Sequence, residues 1–206
     1  RPYPTLCRYF AVRSRGEAAD ATVNGRLDRE IVSVAITQRK GDPLVVPRDE
    51  HPRATSLEAL AKLKPVNRRD GATVTAGNAS GVNDGAAALI IASAEAVKKY
   101  GLTPIARILG GAAAGVPPRV MGIGPAPASA KLLARLGLKQ EQPDVIQLNE
   151  AFASQGLATM RQPGIADDEA PANAQGGALA LCPPLRMSGA RLSGTAAPAL
   201  SLTRTR

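Results

Sequence analysis

Residues 77–101 read GNASGVNDGAAALIIASAEAVKKYG, and this stretch decides the fold class. Its first nine residues contain three glycines and two asparagines, a composition typical of a loop. The apolar run over 86–92 follows at once and has no polar face. A run of this kind predicts a strand that is covered on both sides. We therefore expect a loop that leads into a buried strand.

The residues after this run carry the signals of a helix start and a helix end. Ser93 can cap the first turn and Gly101 can end the last one, with an acidic residue near the start and two lysines near the end. These signals predict a helix over 94–100. The apolar run over 105–109 then predicts a second strand. Strand, helix and strand in close succession favour a layered α/β architecture.

Further patterns predict the elements of the remaining chain. In order, we expect loop and one helix over 1–30, a strand over 30–36, a short helix from the capping box at 55–58 to Pro65, a helix over 125–136, a strand over 144–148, a helix up to Arg161 and a strand over 178–181. No element is predicted beyond Leu192. The strand over 144–148 runs directly into Asn149 and Glu150, and ligands of open α/β sheets collect at such corners.

Composition and charge argue against several classes of protein. With 206 residues, 44% of them hydrophobic and 21% charged, the chain can bury a globular core. Aromatic residues make up only 2%, which argues against an RNA-stacking surface and predicts a core of Ala, Leu, Val and Ile. The net charge is +9, but the basic residues are scattered and form no dense run. We therefore expect neither nucleic acid nor a membrane as partner.

The cysteines and the single histidine show no metal-binding or catalytic spacing. Cys7 and Cys182 lie far apart, so no zinc site and no disulfide scaffold is predicted, and we expect a cytoplasmic protein. His51 lies between turn residues and is interpreted as a surface-loop residue rather than as a catalytic base. The Gly-Ile-Gly at 122–124 begins like a dinucleotide-binding loop, but Pro127 stands where the third glycine is needed. Nucleotide binding by that motif is not expected.

Four motifs occur in the order in which the thiolase family carries them, and together they are specific. They are VTAGNASGVNDGA at 74–86, MGIGP at 121–125, LNEAFA at 148–153 and MSGARL at 187–192. The chain therefore resembles the thiolase family, strongly from about Gly25 to Met160 and in patches from there to Leu192, with only scattered likeness before. Residues 41–57 are similar to the branch of the family that acts on 3-oxoadipyl-CoA.

The resemblance implies a thiolase-like layered α/β fold that is incomplete. Residues 1–82 would form a segment of the loop region, 83–103 the last strand and helix of the N-terminal domain, and 104–206 the C-terminal domain, degraded after about residue 192. We expect a fragment, or the product of a frameshift. An apolar strand over 86–92 would then lack neighbours, which predicts marginal stability and a tendency to associate.

The implied activity is that of an acyl-CoA C-acyltransferase. A cysteine thiolate takes an acyl group from a 3-oxoacyl-CoA, here 3-oxoadipyl-CoA, releases acetyl-CoA and passes the shortened acyl group to free CoA. By the same resemblance, Ala79 and Ser80 touch the pantetheine arm and Asn149 holds the oxyanion-hole water. Met121 and Phe152 wall the acyl pocket. CoA and acyl-CoA are substrates, and no further cofactor and no metal is implied.

Most of the family's catalytic groups have no counterpart here. Cys7 lacks the surroundings of the nucleophile, Pro183 stands at the position of the catalytic histidine, and the second cysteine loop does not follow Leu192. Proline can neither accept a proton nor donate to an oxyanion. Cys182 stands at a family glycine and is not expected to replace the nucleophile.

We therefore expect this chain alone to be inactive as a thiolase. The alternative is a non-catalytic CoA-binding or assembly module derived from a thiolase. Its expected partner is a second copy in a homo-oligomer or an intact thiolase subunit.

Overall fold

The computed structural model describes residues 3–67, 69–167 and 172–203. In chain order the elements are α1 Tyr3–Val23, a 3-10 turn Leu27–Arg29, β1 Val34–Ile36, β2 Leu44–Val46, α2 Leu57–Ala61, α3 Ala94–Tyr100, a 3-10 turn Pro118–Ile123, α4 Pro125–Leu136, α5 Ala153–Arg161, α6 Ala178–Leu181 and α7 Ser188–Thr203. Strands β1 and β2 pair antiparallel, with Val34 opposite Val46. Helix α1 is the helix expected within 1–30, and β1 is shorter than the strand expected over 30–36.

Helices α3 and α4 confirm the capping signals, and α2 begins within the predicted capping box but ends at Ala61, before Pro65. The hydroxyls of Ser56 and Ser93 each accept a hydrogen bond at 3.2 Å from the backbone N–H three residues later. Gly101 ends α3 in the left-handed conformation at φ 61°, and Gly137 ends α4 at φ 65°. A side chain would be strained at these two positions. Signals of this kind act within one helical turn, so the sequence alone could predict them.

Three of the predicted strands form no ladder in the described ranges. Residues 86–92 and 105–109 carry no strand, and 144–148 contributes only a parallel bridge from Ile146 to Ala172. The strands predicted over 86–92 and 105–109 are not formed, whereas the exposure of Ile90 agrees with the expectation that the 86–92 run would lack neighbours. A strand needs a neighbouring backbone to pair with, and among the described residues these three segments have only the bridge from Ile146 to Ala172.

The C-terminal part is more helical than its sequence pattern suggested. Residues 178–181, predicted as a strand, form helix α6, in keeping with the high helix propensity of Ala and Leu. The Leu179 N–H in its first turn donates to the buried Glu150 carboxylate at 3.2 Å, which satisfies a helix-end donor. Beyond Leu192, where no element was predicted, α7 continues with Pro198 inside it.

The core lies where α1 packs against α5 and α6. Its largest members include Phe10 from α1, Leu157 and Met160 from α5, and Leu179 from α6. Gly156 is required at the α1–α5 contact, because a Cβ there would lie 2.9 Å from Phe10 Cζ. Apart from this phenylalanine, the buried apolar residues in the described ranges are Ala, Leu, Cys and Met, so the predicted Ala and Leu are present and the predicted Val and Ile are not.

Candidate functional site

A tight loop brings the 79–80 motif onto the start of α5. The Asn78 side chain fixes the loop, accepting from Thr75 N at 2.7 Å and donating to the Thr73 carbonyl at 2.8 Å. The Ser80 N–H donates to the Ala151 carbonyl at 2.9 Å. Ala79 forms an antiparallel bridge with Phe152. Ala79 and Ser80 from one predicted motif and Phe152 from another are therefore neighbours.

Helix α2 and helix α1 hold this loop from behind. A Cβ on Gly77 would lie 2.5 Å from Leu60 Cδ2 and 2.6 Å from Leu63 Cδ1, so only glycine allows this approach. Arg15 of α1 donates to the Gly77 carbonyl at 2.8 Å. Burial lowers the pKa of the Arg15 guanidinium, against smaller opposing effects of Cys182 and Glu150. The loop is thus fixed by the packing of two leucines against Gly77 and by the hydrogen bond from Arg15.

Cys182 lies beside the same loop. Its Sγ accepts a hydrogen bond from the Gly81 N–H at 2.6 Å and lies 4.0 Å from Ser80 Oγ. Its backbone is left-handed at φ 47°, which is uncommon for a residue with a side chain. Pro183 follows it and is also buried. The 182–183 segment therefore faces the predicted CoA-contact residues.

His51 is closer to this region than the sequence suggested. A Cβ on Gly81 would lie 2.5 Å from Cys182 Sγ and 3.3 Å from His51 Cε1, so thiol and imidazole flank the same glycine. His51 is half-buried, and burial lowers its pKa, assisted by Arg53 and Arg15. His51 lies in a loop, as the sequence predicted, and this loop brings it next to Gly81. No sequence signal could have placed it there, because the contact depends on the path of three loops.

Glu150 organises the corner between the predicted strand and helix α5. Its carboxylate is buried and accepts from Ser14 Oγ at 2.6 Å, from Asn173 Nδ2 at 2.7 Å and from Leu179 N. Burial raises the pKa of this carboxyl, and the hydrogen bonds from Ser14 and Asn173 oppose that rise. Gly177 packs directly on it, since a Cβ there would lie 2.0 Å from Glu150 Cδ.

Asn173 holds the segment that carries Asn149. The Asn173 side chain accepts from Leu148 N at 2.7 Å and donates to the Leu148 carbonyl at 2.9 Å, as a backbone partner in a sheet would do. Asn149 is half-buried and lies in the sequence between Leu148, which Asn173 anchors, and Glu150. Sequence analysis did not single out Asn173, whose left-handed φ of 53° is a conformation that asparagine tolerates.

Met121 lies on the 3-10 turn before α4 and is 76% exposed. The turn is attached to α5, because Thr159 Oγ1 donates to the Gly122 carbonyl at 3.3 Å. From α5, Gln155 Oε1 accepts from the Ala151 N–H at 3.2 Å. Phe152 is itself 43% exposed. Both residues expected to wall an acyl pocket thus present apolar surface to solvent.

Within residues 3–67, 69–167 and 172–203, no group of three or more His, Cys, Asp or Glu residues could hold a metal ion. No helix among the described residues is long and apolar enough to span a bilayer.

Comparison with known proteins identifies the family. The family model described as the thiolase N-terminal domain matches residues 6–95, and the model of the thiolase C-terminal domain matches residues 102–205. The chain belongs to the thiolase family. The two family models match the chain further toward both ends than the motifs predicted. The motifs predicted only scattered similarity before Gly25 and none after Leu192.

Two relatives indicate which branch of the thiolase family this chain is similar to. The chain is 64% identical over 188 residues to the beta-ketoadipyl-CoA thiolase of Pseudomonas putida, covering 91% of this chain and 46% of that protein. It is 52% identical over 185 residues to the 3-oxoadipyl-CoA/3-oxo-5,6-dehydrosuberyl-CoA thiolase of Escherichia coli K12, covering 89% of this chain and 46% of that protein. The chain spans about half the length of the curated relatives it matches.

Solved structures confirm the fold. The acetyl-CoA acetyltransferase of Bacillus anthracis matches with a TM-score of 0.92 and 40% identity, over 98% of this chain and 50% of that one. Human mitochondrial 3-ketoacyl-CoA thiolase matches with a TM-score of 0.90 and 41% identity, over 97% and 50%. The chain therefore has the thiolase-like α/β fold, over part of the proteins that it matches.

Proposed function

We propose that this chain provides the acyl-CoA-binding part of a thiolase-type acyl-CoA C-acyltransferase. The reaction would be thiolytic cleavage of 3-oxoadipyl-CoA to acetyl-CoA and a shortened acyl-CoA. The observation that supports it best is the junction of the 79–80 loop with the start of α5, because the bridge from Ala79 to Phe152 joins two motifs that lie 73 residues apart in the sequence. The names of the relatives support the choice of substrate.

The roles of the residues follow from their surroundings. Ser80 is half-buried on a loop fixed by Asn78, and its Oγ, which donates to the Gly81 carbonyl at 3.1 Å, can still accept a hydrogen bond from an amide of the pantetheine arm. Asn149 is held between anchored neighbours, so it can orient a water toward a developing oxyanion. Phe152 and Met121 would contact the acyl chain. CoA acts here as a substrate, and we propose no further cofactor.

We also propose that the chain alone does not turn over. Pro183 offers no proton acceptor at the place where the resemblance implies the catalytic base. Positioning groups without nucleophile and base retain binding and lose chemistry. A cytoplasmic location belongs to this proposal, since Cys7 and Cys182 are both free thiols, which suits a reducing compartment.

Calorimetry with CoA tests the binding part. We expect the chain to bind CoA and the Ser80→Ala variant to bind about fivefold more weakly, the loss of one hydrogen bond. Ser193→Ala is the matched control, because Ser193 is exposed on α7 and bonds only within its helix. Absence of CoA binding by the unaltered chain would overturn the proposal. Cleavage of 3-oxoadipyl-CoA by the purified chain would contradict its inactivity.

A second candidate function is a non-catalytic module that assembles with a thiolase subunit or with a second copy. The exposed apolar run over 86–92 favours it, since Ile90 is 92% exposed. Size-exclusion chromatography with light scattering distinguishes a chain that assembles with a thiolase subunit or a second copy from one that stays monomeric. A monomer that binds CoA and captures no thiolase subunit would remove this candidate.

A further inference from the structure

A pocket of about 200 Å³ lies where the end of α1 and the 3-10 turn Leu27–Arg29 meet α7. Its polar and charged lining residues are Asn24, Arg26, Arg29, Glu30 and Gln175. None of them is among the residues given a role in acyl-CoA binding above. The pocket is smaller than the about 300 to 1,000 Å³ of sites for drug-sized molecules, so it suits a small ligand.

The turn that carries the two arginines of this pocket is fixed against α1. The Arg26 N–H donates to the Ala21 carbonyl of α1 at 2.9 Å. The Glu30 N–H donates to the Leu27 carbonyl, also at 2.9 Å, and the Leu27 side chain is buried. The guanidinium groups of Arg26 and Arg29 therefore extend over the pocket from a backbone that is already ordered.

Two guanidinium groups line this pocket, against one carboxylate. Both ion pairs among the described residues lie elsewhere, so neither arginine has a carboxylate partner there. The Glu30 carboxylate is engaged by α7, because it accepts from Thr195 Oγ1 at 2.6 Å. Burial lowers the pKa of Arg191 of α7, and the Glu150 and Glu30 carboxylates oppose this. The pocket lining is thus left with an excess of positive charge that an anion can neutralise.

Gln175 adds a buried amide to the pocket wall. It is 4% exposed, and its Oε1 has no hydrogen-bond partner among the described residues. Its neighbour Gly176 packs tightly on α1, because a Cβ there would lie 2.5 Å from Ala18 Cβ. A buried acceptor is costly to leave unpaired. Since the terminal torsion of glutamine is broad, the amide can turn its oxygen toward the pocket, where a ligand hydroxyl can donate to it.

We propose that this pocket binds a small phosphate monoester that carries a hydroxyl group. Two guanidinium forks match the three terminal oxygens of a phosphate, whereas a single fork is enough for a carboxylate. Arg26 and Arg29 hold the phosphate, and the hydroxyl donates to Gln175. The site goes beyond the acyl-CoA function proposed above and does not depend on it.

Calorimetry of the full chain with glycerol 3-phosphate at low salt tests the proposal. We expect a dissociation constant of about 1 mM or below. Arg26→Gln and Arg29→Gln should each weaken binding about tenfold, because each variant loses charge-assisted hydrogen bonds. Arg107→Gln is the matched control, since Arg107 is exposed outside the pocket lining, and it should leave the affinity unchanged. Gln175→Leu should weaken glycerol 3-phosphate about threefold and leave the affinity for inorganic phosphate unchanged.

Three results would overturn this site. The first is no binding at about 10 mM glycerol 3-phosphate, or unchanged affinity in Arg26→Gln. The second is equal weakening by Arg107→Gln, which would show a general attraction of anions to a chain of net charge +9. The third is displacement of glycerol 3-phosphate by CoA, which carries a phosphate monoester of its own. Ser80→Ala should not change glycerol 3-phosphate binding, so this proposal and the acyl-CoA proposal fail separately.

Discussion

Replacing Glu150 tests whether the buried carboxylate holds the candidate site together. Glu150 is 1% exposed and accepts from Ser14 Oγ at 2.6 Å, from Asn173 Nδ2 at 2.7 Å and from Leu179 N at 3.2 Å. Glu150→Ala leaves three buried donors without this acceptor. At about 1 to 1.5 kcal/mol for each, we expect the free energy of unfolding to fall by about 4 kcal/mol. Glu150→Gln keeps the volume and one acceptor and should cost about 2 kcal/mol.

Urea unfolding followed by circular dichroism measures both changes. Glu141→Ala is the control, because Glu141 is exposed and should change stability by less than about 0.5 kcal/mol. Amide exchange at Leu179 should accelerate in Glu150→Ala, since its N–H loses its acceptor. A loss below about 1 kcal/mol in Glu150→Ala, with unchanged exchange at Leu179, would refute the reasoning.

Three further predictions use the same unfolding assay. Burial raises the pKa of Glu17 from 4.5 to about 7, so the folded chain retains a proton that the unfolded chain loses. The free energy of unfolding should therefore decline by about 3 kcal/mol as pH rises from about 4.5 to about 7. Glu17→Gln should flatten this decline. An equal slope in both proteins would contradict the prediction. Gly177→Ala places a Cβ 2.0 Å from the Glu150 carboxyl and should cost at least about 3 kcal/mol, whereas Gly189→Ala, with nothing within 4 Å inside α7, should gain about 0.5 kcal/mol. Similar effects at both glycines would be evidence against the packing argument. The Arg191 guanidinium is buried without a hydrogen-bond partner in the described structure, so Arg191→Met should be neutral or stabilising by about 1 kcal/mol, and a loss above about 2 kcal/mol would show that it is paired.

Helices that carry their own end signals could be predicted from the sequence. Ser93 and Gly101 act on atoms within one turn of α3, and the structure has both in their expected conformations. Helix α6 was misjudged, because ALAL is apolar enough for a strand and its helical state is supported by the distant Glu150. Helix α7 was missed, because Pro198 interrupts its pattern.

Strands and site contacts depend on partners that a local pattern does not contain. The apolar run over 86–92 reads as a strand, but a ladder forms only where a second backbone lies alongside. In the candidate site, the resemblance assigned Ala79 and Phe152 to the binding of one substrate, and an antiparallel bridge joins these two residues in the structure. The approach of His51 to Cys182 joins residues with no shared motif, so only the fold could reveal it.

The contact between α1 and the distant end of the chain has a consequence for synthesis. Ser14 reaches Glu150 across 136 residues, and Gly177 N reaches Ser14 across 163. At about 10 residues per second, the first helix leaves the ribosome roughly a quarter of a minute before its partners exist. During that interval Phe10 and Cys7 have no cover, which makes the nascent polypeptide a natural client for chaperones that bind early. Slow codons between the two regions would lengthen the exposure and lower the yield of folded product.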